Sequence, residues 1–488
     1  SGISAHGQKA IEQISTCINS EGKDSLNVLY LIDESRSLTV TDPKALRVEG
    51  IRASLEQFRN VSIDRPYFKV NRSFATFAEN YKVQKDWENL DNKLLENDLN
   101  WVSQNVPKLN AGSYTNWALA LTNAYQQFQS QKSLTSCDVM VWFTDGALTV
   151  PGTASANLNA MRTICGVDPV SGNSTGDSII DNFRKSGINI QGILLQNQDY
   201  FENPTNYGQT KERATLDGKG MTYFQPILEA SGSVDTEYFQ GKGTKNITCG
   251  EDVGAAGVLQ TIGDPIDILW FPVPFNCLAT NGRILPIENG SVKIDPGMTK
   301  FQVTSVKNGF ELSNGAGDLI ANSQGPSKGQ VQVQDLGQSG TVTTVKGNIA
   351  NQGILKPGVW RIKSADTGRA VFCGYLDLQI EIKGKTCYEN EPCEFSGKIS
   401  RNGREVNFGE FRNLNLSFTA LKPNGTEGTS GNLNLNKVDG TYSGKYLTNG
   451  LVDQSGISKL KVNLRVTTNS GYEFSISAIK DFAIVPPG

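Results

Sequence analysis

Asp33, Ser35 and Ser37 stand at alternate positions directly after the apolar run 26–32. Side chains two apart in an extended segment point the same way. A buried strand that runs into a short loop therefore aims one carboxylate and two hydroxyls at one point. This donor set is all oxygen, with no imidazole and no thiolate. It suits Mg²⁺, Mn²⁺ or Ca²⁺ rather than zinc or copper. Two further segments offer compatible groups. Gly112-Ser113-Tyr114-Thr115-Asn116-Trp117 carries the Thr115 hydroxyl on a loop that leads into an apolar-periodic helix. Val139-Met140-Val141-Trp142-Phe143-Thr144-Asp145-Gly146 reads as a second buried strand and ends on the Asp145 carboxylate.

In this order, the three segments resemble the von Willebrand factor type A domain and its metal-ion-dependent adhesion site. In that family D-x-S-x-S follows the first strand, a Thr comes from a second loop, and an Asp ends the fourth strand. The resemblance places those roles on Asp33, Ser35, Ser37, Thr115 and Asp145. It implies that Ser35 and Ser37 bind the ion directly and that Thr115 binds directly or through water. Asp33 and Asp145 then act mainly through water and by holding the hydroxyls. Two carboxylates roughly balance the +2 charge without sitting on the ion, which stays electrophilic. One position faces solvent, and the Asp or Glu carboxylate of a protein partner is its expected occupant. The sequence departs from the family at Tyr114, where Gly usually precedes the Thr. Arg36 reads either as a solvated loop residue or as positive charge at the rim. Tyr114 and Trp117 are expected to line the site, while most other aromatic residues read as core.

At 488 residues the chain is too long for one domain. Its net charge of −3, with both signs mixed, argues against a nucleic-acid or polybasic membrane role. No run of apolar residues is long enough to span a bilayer. Any signal peptide is expected to have been removed, and any membrane anchor to lie beyond the sequence shown. Eight widely dispersed cysteines, with no C-x-x-C and a single histidine, His6, fit disulfides in an oxidising compartment. The expected localisation is extracellular, secreted or at the cell surface. Cys17 and Cys137 fall at one edge of the resembled fold, where their strands are neighbours. Cys165 and Cys249 both follow strands, Cys277 and Cys373 bracket the next domain, and Cys387 and Cys393 close a short loop. Eight cysteines allow 105 pairings in all.

The fold class expected is a doubly wound α/β von Willebrand A domain over 1–263, followed by two all-β sandwiches, 268–382 and an immunoglobulin-like 383–488. In the first part, helices are expected at 45–58, 115–128, 178–186, 224–230 and 255–262. Strands are expected at 26–32, 67–70, 73–78, 139–145, 188–195 and 236–239. Phe74–Ala78 has the look of the family's antiparallel edge strand. Such alternation implies a parallel sheet covered on both sides, with ligands at the carboxyl ends of its strands. Two long segments, 150–176 and 196–220, would emerge at that end. They read either as a partner-binding rim or as a disulfide-tethered insertion. Beyond residue 268 the pattern alternates strand and turn. Pro357-Gly358-Val359-Trp360 and Asp439-Gly440-Thr441-Tyr442 resemble motifs of β-domains that trail such heads as spacers.

Gly384-Lys385-Thr386 mimics the end of a phosphate loop but has no strand-to-helix context. A serine hydrolase would need a histidine, and His6 lies near the N-terminus. Asn60, Asn71, Asn173, Asn246, Asn289, Asn415 and Asn424 begin N-x-S/T and would be glycan acceptors only in a eukaryotic secretory protein. The first function reading is an adhesion or protein-binding protein that captures a carboxylate through the metal. The alternative is a structural or assembly subunit in which the ion stabilises loops or binds a fixed subunit. An extracellular hydrolase would need a general base. Glu34 is the spare candidate, and its place between metal-facing residues turns it away. The expectation is therefore not an enzyme.

Overall fold

The computed structural model describes residues 5–20, 22–65, 68–145, 148–176, 178–239, 241–249, 256–262, 273, 276–277, 280–327, 331–337, 340–347, 353–365, 370–401 and 405–486. The chain divides into two units. One comprises residues up to Ile14 with Asp24–Pro272, the other Ser15–Lys23 with Val273–Gly488.

The first unit is built on a six-stranded sheet. Its strands are β1 (Ser25–Asp33), β2 (Lys69–Phe77), β3 (Tyr81–Asn89), β4 (Ser136–Thr144), β5 (Ile188–Gln196) and β6 (Ala256–Ile262), in the order β3-β2-β1-β4-β5-β6. All neighbours are parallel except β2 and β3. Every residue of β4 is buried, as a central strand covered on both faces requires. Alternation divides β1 between two cores. Leu29 and Leu31 join Met140, Trp142 and the apolar stripe Trp117, Ala120, Leu121, Ala124 and Phe128 of α1 (Trp117–Gln129). Tyr30 points the other way, stacks on Phe74 and meets Phe58 edge-on. Phe58 belongs to the helix Arg47–Asp64. Helices thus cover both faces, and the carboxyl ends of β1 and β4 are left open to the loops that follow.

Several segments differ from the sequence reading. Residues 256–262 form a strand parallel to β5, not a closing helix, and Ala255 lies outside the described residues. The run Ala-Gly-Val-Leu-Gln-Thr-Ile is too short for its period to separate the two states. Residues 69–77 form one strand that pairs parallel with β1. The antiparallel edge is β3, whose polar sequence hid it, and Tyr67 lies outside the described residues. Thr236–Phe239 is a 3₁₀ turn. The strand there is Ser231–Asp235, paired antiparallel with Thr244–Thr248. The long segments are partly helical, with Ala154–Cys165 in one and Gln198–Glu202 and Lys211–Gly220 in the other.

Among the described residues the strands of the second unit pair antiparallel, except for a short parallel pairing of Cys387–Tyr388 with Glu473–Val485. Two five-stranded sheets between Gly282 and Tyr375 face one another through Phe301 and Trp360, 5.0 Å apart and edge to face. A three-stranded and a five-stranded sheet between Gln379 and Val485 meet through Phe395 and Phe418, at 5.3 Å. Residues of both sandwiches belong to one continuous apolar cluster. Asp295 of the first accepts hydrogen bonds from the Thr468 hydroxyl and the Ser470 backbone of the second. Gly384 ends a strand with no helix after it, so the phosphate-loop mimic is a coincidence of sequence. Disulfides join Cys165 to Cys249, Cys277 to Cys373 and Cys387 to Cys393, as expected. Cys17 and Cys137 are disulfide-bonded as well.

Candidate metal centre

Asp33 is the last residue of β1 and is fully buried. Its Oδ1 accepts from the Ser35 backbone N–H at 2.8 Å, which folds the chain back so that the two serines share one side. The Ser35 and Ser37 hydroxyls lie 3.0 Å apart. Asp33 Oδ2 accepts from the Thr144 hydroxyl at 2.8 Å. Thr144 is the last residue of the neighbouring β4 and immediately precedes Asp145.

Asp145 is 3% exposed. Its Oδ2 accepts from the Thr41 hydroxyl at 3.0 Å, while Oδ1 is buried with no hydrogen-bond partner. Burial, and then the Asp33 charge beside it, push the Asp145 carboxyl well above the usual carboxylate range, against the pull of the Ser37 and Thr41 hydroxyls. An unsatisfied buried carboxylate oxygen next to a second carboxylate is costly unless positive charge joins it. A proton held by the raised pKa supplies it in part, and the side chains present also fit a hard divalent cation, which would supply it in full. Among the described residues no group of three or more His, Cys, Asp or Glu could hold a metal. A site here depends on two acids and several hydroxyls.

Thr115 reaches this end of the sheet through backbone clamps. Gly112 N–H donates to the Glu34 carbonyl at 2.9 Å, and Arg36 N–H to the Gly112 carbonyl at 2.8 Å. Thr115 N–H donates to the Thr149 carbonyl at 2.9 Å and Thr149 N–H returns to the Thr115 carbonyl at 3.2 Å. The three loops are thus stitched into one rim, and Thr115 is buried within it. A Cβ on Gly112 would meet the Ala78 Cβ at 2.5 Å and the Glu34 carbonyl at 3.0 Å, so only glycine permits this approach.

Asp33, Ser35, Ser37 and Asp145 therefore come together through direct side-chain neighbours, and Thr115 through the loop backbone. Trp117 does not line the site. It is buried against Trp142 and donates its indole N–H to Thr144 at 3.2 Å, supporting the Asp33 partner from below. Arg36 is exposed. Glu34 is half-buried. Its carboxyl, raised first by burial and then by Asp33, faces Thr76 and Lys82. Thr144 and Thr41, which hold the two carboxylates, lie outside the sequence motif. Thr144 was findable, because it lies one step beyond the Ile32–Phe143 pair of two adjacent parallel strands.

No protein-family model matches this sequence, and no curated protein sequence matches it. Among solved structures the chain is similar to a von Willebrand factor type A protein from Catenulispora acidiphila, at 10% identity, 95% of this chain, 67% of that one and a TM-score of 0.29. It is similar to the pilus adhesin SpaC from Lactobacillus rhamnosus GG at 13% identity, 95% of this chain and a TM-score of 0.30, spanning 54% of the adhesin. It is similar to the conserved hypothetical protein BatB from Bacteroides thetaiotaomicron at 12% identity, 52% of this chain, 98% of that one and a TM-score of 0.28. The fold assignment rests on a parallel sheet with helices on both faces, the D-x-S-x-S loop after its first strand, the Thr loop before a helix and the Asp after its fourth strand. By those features the N-terminal unit has the fold of a von Willebrand factor type A domain.

Proposed function

We propose that this chain is an extracellular adhesion or protein-binding protein. Its N-terminal unit holds Mg²⁺, or Mn²⁺ or Ca²⁺ in its place, through Asp33, Ser35, Ser37, Thr115 and Asp145. The ion, when bound, supplies a Lewis-acidic position for the Asp or Glu carboxylate of a protein partner. The chain's own residues do the rest. Asp33 orients Ser35 through its backbone N–H, and Thr144 and Thr41 hold the two carboxylates in place. Gly112 lets the Thr115 loop close on the first. The observation that carries this reading is the buried, unpartnered Oδ1 of Asp145 beside Asp33. The disulfides support an oxidising compartment, and the two sandwiches then serve as a spacer. The geometry gives no support to hydrolysis, since Glu34 faces Thr76 and Lys82.

The test is capture of candidate surface and matrix proteins by wild type and by Asp33→Ala, in Mg²⁺ and in EDTA. Binding that needs both Mg²⁺ and Asp33 supports the reading. Binding that survives EDTA and Asp33→Ala contradicts it. If the ion alters thermal stability and no interaction, the structural alternative holds instead.

A further inference from the structure

Tyr114 stands between Ser113 and Thr115 with φ +64°. Left-handed backbone suits Gly, Asn and Asp, and a bulky side chain there costs free energy. The other non-glycine residues at positive φ among those described are Asn281, Asn289, Asn390 and Asp377, with the small Ala45 and Ala230. Tyr114 alone carries a large ring. The conformation is imposed from both sides, by the Gly112–Glu34 clamp before it and the Thr115–Thr149 clamp after it. The residue is 44% exposed, and its side chain makes no hydrogen bond or aromatic-ring contact among the described residues. A strained backbone that exposes an aromatic residue directly before Thr115 points to a contact made with something else. Tyrosine supplies rigid apolar area with a polar tip at small entropic cost, which is why it recurs at binding hot spots.

We propose that Tyr114 is a specificity-determining contact of the metal site. Its ring borders the position that receives the partner's acid and packs against the neighbouring partner residue. The site then prefers a polypeptide segment in which an acidic residue is flanked by an apolar one. This inference rests on the carboxylate-capture reading above.

The test uses the full chain and two acetylated pentapeptides, Gly-Gly-Glu-Gly-Gly and Gly-Leu-Glu-Leu-Gly, titrated in Mg²⁺ and in EDTA. Wild type in Mg²⁺ binds the leucine-flanked peptide roughly fivefold to tenfold more tightly, as partial burial of one leucine predicts. In Tyr114→Asn and Tyr114→Gly the preference falls to about twofold or less. Asn tolerates the backbone, so Tyr114→Asn melts at or above the wild-type temperature. Equal wild-type affinity for the two peptides, a preference that persists in both variants, or a marked fall in the melting temperature of Tyr114→Asn overturns the assignment. If neither peptide binds in an Mg²⁺-dependent way to wild type, the capture reading itself fails, and this assignment with it.

Discussion

The Thr41 hydroxyl donates to Asp145 Oδ2 at 3.0 Å, and the opposite oxygen of the same carboxylate is buried without a partner. That asymmetry gives a prediction with two signs. A carboxyl whose folded pKa is raised costs stability above its ordinary pKa, because ionising it next to Asp33 is unfavourable. In EDTA at neutral pH, Asp145→Asn is therefore as stable as wild type or more stable. In Mg²⁺ wild type gains stability and the variant does not. Thermal melts of both proteins, with and without the ion, check this.

Thr144 bridges Asp33 and the Trp117 indole. Thr144→Val keeps the shape and removes both bonds. It leaves a buried acceptor and a buried donor unsatisfied, at a cost of about 2–4 kcal/mol. Urea unfolding of the variant is expected to show that loss, together with weaker Mn²⁺ binding. Unchanged stability would mean that Thr144 does not hold Asp33.

Much of this site was legible in the sequence, for a local reason. Asp33, Ser35 and Ser37 lie within one strand-to-loop turn, and Asp145 ends a run so apolar that only a buried strand accommodates it. Element order suggested the pairs Cys165–Cys249, Cys277–Cys373 and Cys387–Cys393 among the many possible, and the structure forms them. What stayed hidden was set by tertiary contact. The edge strand Tyr81–Asn89 is polar because one side of it faces solvent, so it shows no apolar run. Ala256–Ile262 becomes a strand because β5 offers it a parallel edge. Thr41 reaches Asp145 across more than a hundred residues, a distance no local pattern reports.

Gly112 tests the stitching of the loops. Gly112→Ala places a methyl 2.5 Å from the Ala78 Cβ, against backbone on the other side. The expected destabilisation is about 1–3 kcal/mol, as for overpacking elsewhere. Because the displaced segment carries Thr115, divalent-ion affinity falls with it. A variant of wild-type stability and ion affinity would show that the loop adapts freely.

Asp168 provides a test by pH. Its carboxylate is bound by the Arg162 guanidinium and by the backbone N–H groups of Val170 and Ser171. Burial works against the charge, but these bonds outweigh it and hold the carboxyl below its usual range. A depressed pKa contributes stability above the unfolded value, and that stability is lost as pH falls through the folded value. Asp168→Asn is therefore less stable than wild type at pH 7, by about 1 kcal/mol, since the Arg162 partner is partly exposed. The difference closes in acid, below the usual aspartate range. Melting temperatures of the two proteins from pH 7 down to about pH 2 display the convergence.

The most direct measurement is Mn²⁺ binding to the purified chain, followed by electron paramagnetic resonance with added acetate. Bound Mn²⁺ is expected in wild type and not in Asp33→Ala, with acetate displacing a water from the bound ion. Equal Mn²⁺ binding by both proteins, or a bound ion whose coordination acetate leaves unchanged, would contradict carboxylate capture at this site.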